Sequence, residues 1–329
     1  MISGLKETSI YKERRSEMDV IGIDIGYGYT KSFTVASETQ RKLIFQTLVS
    51  PYTPEICFGI NFGTITVNRK KYAIGEELML NQIPCETTTR EDFVGSPSYM
   101  AILGYVLSHT NFHGKVLVTG LPPTFYYKKR AEELSELIKE QWITDDMGKP
   151  ILLPEIIKVI PQGAGIFFSF VINHPSIFEE NVLVVDIGYY TLDIVFFTKG
   201  KYVEGAAMSF PMGVKRIYDE IRKKFGRIHG VFSKDDESIE EIIRYGKYTH
   251  SGKEYQLNVT DIINSYRSMI SSTIKSHLGD MVKLIDYILV GGGGVNLFRE
   301  TMSGVIPVED PQFANARGFY LYGKQLLQG

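Results

Sequence analysis

Two stretches of the chain carry the same alternation of apolar and polar positions. The first reads Val20-Ile21-Gly22-Ile23-Asp24-Ile25-Gly26-Tyr27-Gly28-Tyr29-Thr30-Lys31, the second Val184-Val185-Asp186-Ile187-Gly188-Tyr189-Tyr190-Thr191-Leu192-Asp193-Ile194-Val195. In each, an apolar run ends in Asp-Ile-Gly, a short turn follows, and polar residues lead into a second apolar run, Ser32-Phe33-Thr34-Val35 or Ile194-Val195-Phe196-Phe197. That pattern predicts a β-hairpin with a carboxylate at the end of its first strand. The two carboxylates stand about half the chain apart.

Between and after the hairpins the periodicity alternates between helix and strand. Residues 38–95 read as short strands and turns of a small inserted subdomain, with runs at 57–60, 64–67 and 71–75. A helix follows near 97–110, a strand at 115–122, and an amphipathic helix at about 124–142 with Leu134, Leu137, Ile138 and Trp142 at helical spacing. The strand 156–160 breaks at Pro161, and a buried helix begins near Gln162. The second half repeats the plan: a hairpin at 182–204, helices at about 212–225, 235–245 and 259–278, a strand at 287–290 and a closing helix at about 312–327. This predicts two α/β domains of related topology. The boundaries are a polar tail at 1–18, a first domain at 19–165 completed by the closing helix at 312–329, and a second domain at 166–311.

Composition narrows the class. The 329 residues are 43% hydrophobic and 22% charged, which fits a globular protein with real cores. The net charge of −2 gives no general attraction to nucleic acid. No apolar run approaches the ~18–20 residues of a membrane span, and residues 1–18 lack the apolar core of a signal peptide. Cys57 and Cys85 are too few for a disulfide scaffold or zinc site, so reduced thiols in a cytosol-like compartment are expected.

The repeat itself suggests chemistry. Phosphate oxygens are held well by backbone N–H groups of tight turns, which glycine lets approach closely. Aspartate repels phosphate but can order Mg²⁺ and its water shell. Two such turns on two half-molecules suggest a nucleotide clamped between them. Tyr287-Ile288-Leu289-Val290 running into Gly291-Gly292-Gly293-Gly294 offers bare backbone for a polar ring or ribose-phosphate, although a surface loop would read the same. Gln162, at a strand-to-helix junction, could orient a water toward a γ-phosphate, or simply face solvent from a first helical turn.

Taken in order, these features resemble the actin/Hsp70/sugar-kinase ATPase superfamily from about residue 19 onward. The segments Ile160-Pro161-Gln162-Gly163-Ala164-Gly165 and Asp310-Pro311-Gln312-Phe313-Ala314-Asn315-Ala316-Arg317-Gly318-Phe319 look most like prokaryotic actin-like proteins of the ParM-type plasmid-segregation and archaeal branches. The resemblance implies the actin-like ATPase fold, two related RNase H-like domains flanking a nucleotide cleft. It implies that Asp24, Gly26, Tyr27, Gly28, Tyr29 and Lys31 form a first phosphate hairpin, with Lys31 meeting the β- and γ-phosphates. Gly188, Tyr189, Tyr190 and Thr191 would form the second. Asp186, with Asp24, would hold Mg²⁺ through water. Gln162 would align the attacking water, Gly291, Gly292, Gly293 and Gly294 would receive the adenosine, and Asn315-Ala316 would mark the second crossing helix at the hinge. Tyr189 and Tyr190 depart from the pattern, since relatives often carry Gly or small polar residues there. Lys215, beside Arg216, could touch adenine or ribose, or be a solvated charged face.

The implied function is an ATPase whose hydrolysis is coupled to head-to-tail polymerisation, in a cytoskeletal or DNA-segregating role. ATP is the implied nucleotide, with GTP open because the glycine turn reads no base edge. Expected partners are further copies of the chain and an adaptor protein linking filament to cargo, with no direct nucleic-acid or membrane binding, in the cytoplasm. The main alternative is a monomeric small-molecule kinase of the same superfamily. Such a kinase needs a catalytic Asp base, whereas Gln162 cannot take a proton. An Hsp70-type chaperone would need a substrate-binding domain after Gly329, and a membrane-linked scaffold would need an amphipathic anchor.

Overall fold

A computed structural model describes residues 19–55, 59–60, 62–230, 235–297 and 304–328. The predicted tail at 1–18, and Cys57 and Phe58 of the run at 57–60, lie outside the described residues. The first half opens with β1 (Val20–Ile25), β2 (Tyr29–Ala36) and β3 (Thr39–Gln46), then β4 (Val49–Pro51), β5 (Gly63–Val67), β6 (Lys70–Ile74), α1 (Glu77–Leu80) and α2 (Pro97–His109). It continues through β7 (Val116–Leu121), α3 (Lys128–Lys139), β8 (Ile143–Thr144), β9 (Ile156–Pro161) and α4 (Ala164–Val171). The second half contains β10 (Asn181–Ile187), β11 (Leu192–Thr198), β12 (Lys201–Tyr202), β13 (Met208–Phe210), α5 (Lys215–His229) and α6 (Asp236–Tyr245). The hairpin β14 (Lys247–His250) and β15 (Lys253–Gln256) follows, then α7 (Thr260–Leu278), β16 (Tyr287–Gly291), β17 (Ile306–Pro307) and α8 (Ala314–Leu326).

The two main sheets have one topology. The first runs β3-β2-β1-β7-β9 and the second β12-β11-β10-β16-β17, with β13 also on β11. In both, the hairpin strands pair antiparallel and the next two join in parallel. Residues 39–46 therefore complete the first main sheet; the small sheet, β4-β6-β5-β8, begins only afterwards. Sequence reading placed this strand in the subdomain because its polar side chains hide the pairing.

Local signals explain two of the helix starts. Ser96 caps α2 by accepting the amide of Tyr99, with Pro97 at the first position, and Asp235 caps α6 by accepting the amide of Ser238. In α3, Leu134 and Ile138 are buried as expected, but Leu137 and Trp142 are exposed, Trp142 lying beyond the helix end.

Strand alternation decides which side chains meet. On β1, Ile21, Ile23 and Ile25 face an outer core with α2 and α3, while Val20 joins a central core. On β10, Leu183, Val185 and Ile187 face an outer core with α5, α6 and α7, and Val182 and Val184 share the central one. By the same parity Asp24 and Asp186 belong to the two central faces, turned toward each other.

The central layer is made by α4 and α8, which leave one sheet and pack on the other. Gly291 of β16 meets Ile166 of α4, and Gly22 of β1 meets the backbone of α8 at Ala316 and Tyr320. Where the helices cross, a Cβ on Gly318 would stand 1.7 Å from the carbonyl oxygen of Gly165. Backbone on both sides leaves no side chain to yield, so Gly318→Ala is expected to destabilise the protein by about 3 kcal/mol or more. The check is the urea-unfolding midpoint of the variant against the parent.

Candidate functional site

The two hairpin turns close in the same way. The amide of Gly26 donates to the carbonyl of Tyr29 at 3.2 Å, and that of Gly188 to the carbonyl of Thr191 at 2.9 Å. The remaining carbonyls of each turn are drawn off to one side. In the first turn, Gly26 O accepts the Thr47 hydroxyl at 2.7 Å, Tyr27 O the Thr88 hydroxyl at 2.6 Å and Gly28 O the Thr47 amide at 2.9 Å. In the second, Gly188 O, Tyr189 O and Tyr190 O accept the amides of Val214, Lys215 and Gly213 at 3.0, 2.9 and 3.0 Å. A planar trans peptide points its N–H opposite to its C=O. The amides of Tyr27, Gly28, Tyr189 and Tyr190 are thereby turned the other way, and among the described residues none has a hydrogen-bond acceptor. Two such nests of free N–H groups form an anion-binding surface.

Between the nests lie the carboxylates, each gripped by a carboxamide from the crossing layer. Gln162 donates through Nε2 to Asp24 Oδ1 at 3.0 Å and to the Ile25 carbonyl at 3.3 Å. Asn315 donates through Nδ2 to Asp186 Oδ2 at 2.6 Å and accepts the Gly163 amide at 2.9 Å. Lys31 reaches Asp24 at 3.2 Å. Burial, and then the charge of Asp24, push the Asp186 carboxyl up to about 6, against the pull of Lys31 and Asn315. Asp193, the register partner of Asp186, is pushed up to about 7 by burial and the charge of Asp186, and its Oδ1 has no hydrogen-bond partner among the described residues.

One cleft is lined by both turns, Lys31, Gln162, Asp186 and Gly292, Gly293 and Gly294. Asp24 lines it as well. Gly292 has φ +87°, and a Cβ there would stand 2.3 Å from Asp186 Oδ1, so glycine alone fits. Two sequence expectations lie elsewhere. Lys215 is on an outer surface, paired with Asp219 at 2.9 Å, because the first helical turn points its side chain away from the cleft. Gly291 is the last residue of β16 and sits beneath the cleft against Ile166. The tyrosines at 189 and 190 leave their amides clear. The Tyr189 ring packs edge-on against Tyr29 at 5.7 Å, and its hydroxyl donates to Asp236 Oδ2 at 2.5 Å.

Sequence reading missed Tyr218, Glu240, Pro311 and Gln312, which line the cleft, and the threonines behind the first turn. It assigned Asn315 to the hinge but not to Asp186. A signal for that existed: Gln162 and Asn315 each stand three residues before a crossing-helix glycine, Gly165 and Gly318. Thr47 and Thr88 carry no such signal.

The donor set suits Mg²⁺ held through water. Among the described residues no three carboxylate, imidazole or thiol groups converge to cage an ion, yet two buried carboxylates with one lysine leave negative charge that a cation on bound phosphates would offset. A pH prediction follows from the raised carboxyls. Below about pH 4 the folded and unfolded states both hold these protons. Between there and about pH 6–7 only the folded state does, so ligand-free stability from this pair is lost as pH rises through that window. Thermal melts across pH 4–8, compared with Asp186→Asn, are expected to show the wild type losing stability relative to the variant as pH rises.

Residues 22–165 match the family of actin-like protein N-terminal domains, and residues 184–304 the C-terminal family of archaeal MreB-like actin homologues. No curated protein matches the chain in a sequence search. Among solved structures, the archaeal actin homolog Ta0583 superposes with a TM-score of 0.74 at 19% identity, covering 94% of this chain and 100% of that one; it is also known in complex with ADP. A ParM from Clostridium botulinum, solved as a 15-stranded filament, gives 0.70 at 22% identity over 94% and 99%. Bacillus thuringiensis ParM with ATP gives 0.65 at 14% identity over 95% and 100%. The two parts of the chain thus match an actin-like and an archaeal MreB-like family model in turn, and the whole chain has the actin-like fold.

Proposed function

We propose that the protein is a nucleotide-dependent, filament-forming ATPase. The observation that carries this reading is the pair of opposed turns, on two sheets of one topology, whose carbonyls are tied back and whose free amides face one cleft with Asp24 and Asp186. The phosphates of ATP would lie between the nests, and the ribose and base toward Gly292, Gly293 and Gly294. Lys31 would add positive charge at the β- and γ-phosphates. Mg²⁺, held through water by Asp24 and Asp186, would supply charge neutralisation on the phosphate oxygens. Gln162 has its Nε2 committed to Asp24 and the Ile25 carbonyl, which leaves Oε1 to orient a water without taking its proton.

Two lobes, 19–165 with the closing helix and 166–311, would close on the nucleotide, and the closed subunit would join the next head to tail. An adaptor would then link the filament to a cytoskeletal or DNA-segregating cargo in the cytoplasm. Solved relatives named as filaments and as ADP or ATP complexes support the reading. Sedimentation and negative-stain microscopy with Mg-ATP, Mg-ADP and no nucleotide test it. Filaments that need Mg-ATP are expected. A chain that stays monomeric with ATP while phosphorylating a small metabolite would overturn the proposal.

A further inference from the structure

The two anion nests are held in different ways. The second turn is fixed by backbone amides at the start of α5, an element directly following its own sheet. The first turn has one backbone donor, the Thr47 amide on Gly28 O, and otherwise depends on two threonine hydroxyls from outside the hairpin. Thr47 comes from the link between β3 and β4, and Thr88 from the loop between α1 and α2. Both are buried, and neither lines the cleft.

The hydrogens can be traced. Thr47 has one hydroxyl hydrogen, given to Gly26 O at 2.7 Å. Its 3.0 Å contact with Thr30 Oγ1 therefore has Thr30 as the donor. The result is a relay from Thr30 through Thr47 to the Gly26 carbonyl, beside the 2.6 Å bond from Thr88 to the Tyr27 carbonyl. Without these donors both part-buried carbonyls would lose their hydrogen-bond partner, and rotating the peptides toward the cleft would let water solvate them. That rotation withdraws the amides of Tyr27 and Gly28 and puts carbonyl oxygens against the anion.

We propose that Thr47 and Thr88 are positioning residues of the anion site, fixing the direction of the first turn's peptides without touching the ligand. The inference rests on the nucleotide reading above. It also makes the region around the small sheet, through Thr88, part of the phosphate response.

The test uses the full chain and the isosteric variants Thr47→Val and Thr88→Val, with Thr47→Ser and Thr88→Ser as rescues. Calorimetric titration measures affinity for Mg-ATP, Mg-pyrophosphate and adenosine, and ligand-free melting checks the fold. Each valine variant is expected to lose about tenfold or more in affinity for ATP and pyrophosphate, with adenosine unchanged and serine restoring the wild-type value. Unchanged ATP affinity in a folded valine variant overturns the inference, as does an equal loss for adenosine. Should one valine variant not fold, the other decides: a phosphate-specific loss supports the inference, and no change overturns it. Wild-type protein that binds none of the three ligands overturns the nucleotide reading itself. Wild-type binding with indifferent valine variants overturns this inference alone.

Discussion

Asp186→Asn is expected to abolish Mg²⁺-dependent ATP hydrolysis, lowering kcat by about a thousandfold or more, several kcal/mol in the barrier. The substitution keeps the side chain's size and removes the charge that would order the metal's water. It should not unfold the protein. Asp186 is buried beside Asp24 with its carboxyl raised to about 6, so at pH 8 its charge opposes folding of the ligand-free chain. A neutral amide relieves that opposition. The expected pairing is thus lost turnover with an unchanged or higher ligand-free melting temperature at pH 8. Malachite-green phosphate release and differential scanning calorimetry on the same preparation check it. Turnover that survives would remove Asp186 from the metal site, and lost turnover with a collapsed melting temperature would make it a structural residue.

How much of this arrangement the sequence announced depended on the range of the interaction. The two hairpins were legible because each is a local pattern, and their repetition showed that the chain has two related sheets. The glycines at 292–294 were legible because a strand end before a tight turn is local as well; Gln162 came from the family resemblance, since its local pattern also allowed a solvent-facing side chain, which the structure instead buries against Asp24. The direction of the peptides in the first turn was not legible, because it is set by Thr47 and Thr88, 21 and 61 residues away from the carbonyls that they hold. Lys215 is the converse case: a basic residue near a predicted site suggested contact, while in the structure its ammonium is paired with Asp219. The exchange of α4 and α8 between sheets is also invisible to periodicity. It shows only in the spacing of Gln162 to Gly165 and Asn315 to Gly318, where a carboxamide and a close-packed glycine must occupy one short helix segment.

Gln162→Ala is expected to slow hydrolysis by about a hundredfold, roughly 3 kcal/mol, with ATP affinity changed by less than about threefold. A residue that orients water acts in the transition state, so its loss appears in turnover and leaves binding nearly intact. The nests and Gly292–Gly294, which would carry the binding, do not involve the Gln162 side chain. The consequence for assembly follows by linkage. If ATP favours the closed subunit and only the closed subunit presents matching ends, nucleotide and neighbour stabilise the same state. A head-to-tail contact that does not close on itself then propagates into a fibre. Hydrolysis ends that stabilisation, so a subunit that hydrolyses a hundredfold more slowly should remain in the filament correspondingly longer. Light scattering after a limited pulse of Mg-ATP, with phosphate release followed in parallel, should show Gln162→Ala filaments outlasting wild type by a factor similar to the loss of turnover. Filaments that disassemble at the wild-type rate despite slowed hydrolysis would separate disassembly from chemistry. An ATP affinity that falls as far as turnover would make Gln162 a binding residue, acting through its grip on Asp24.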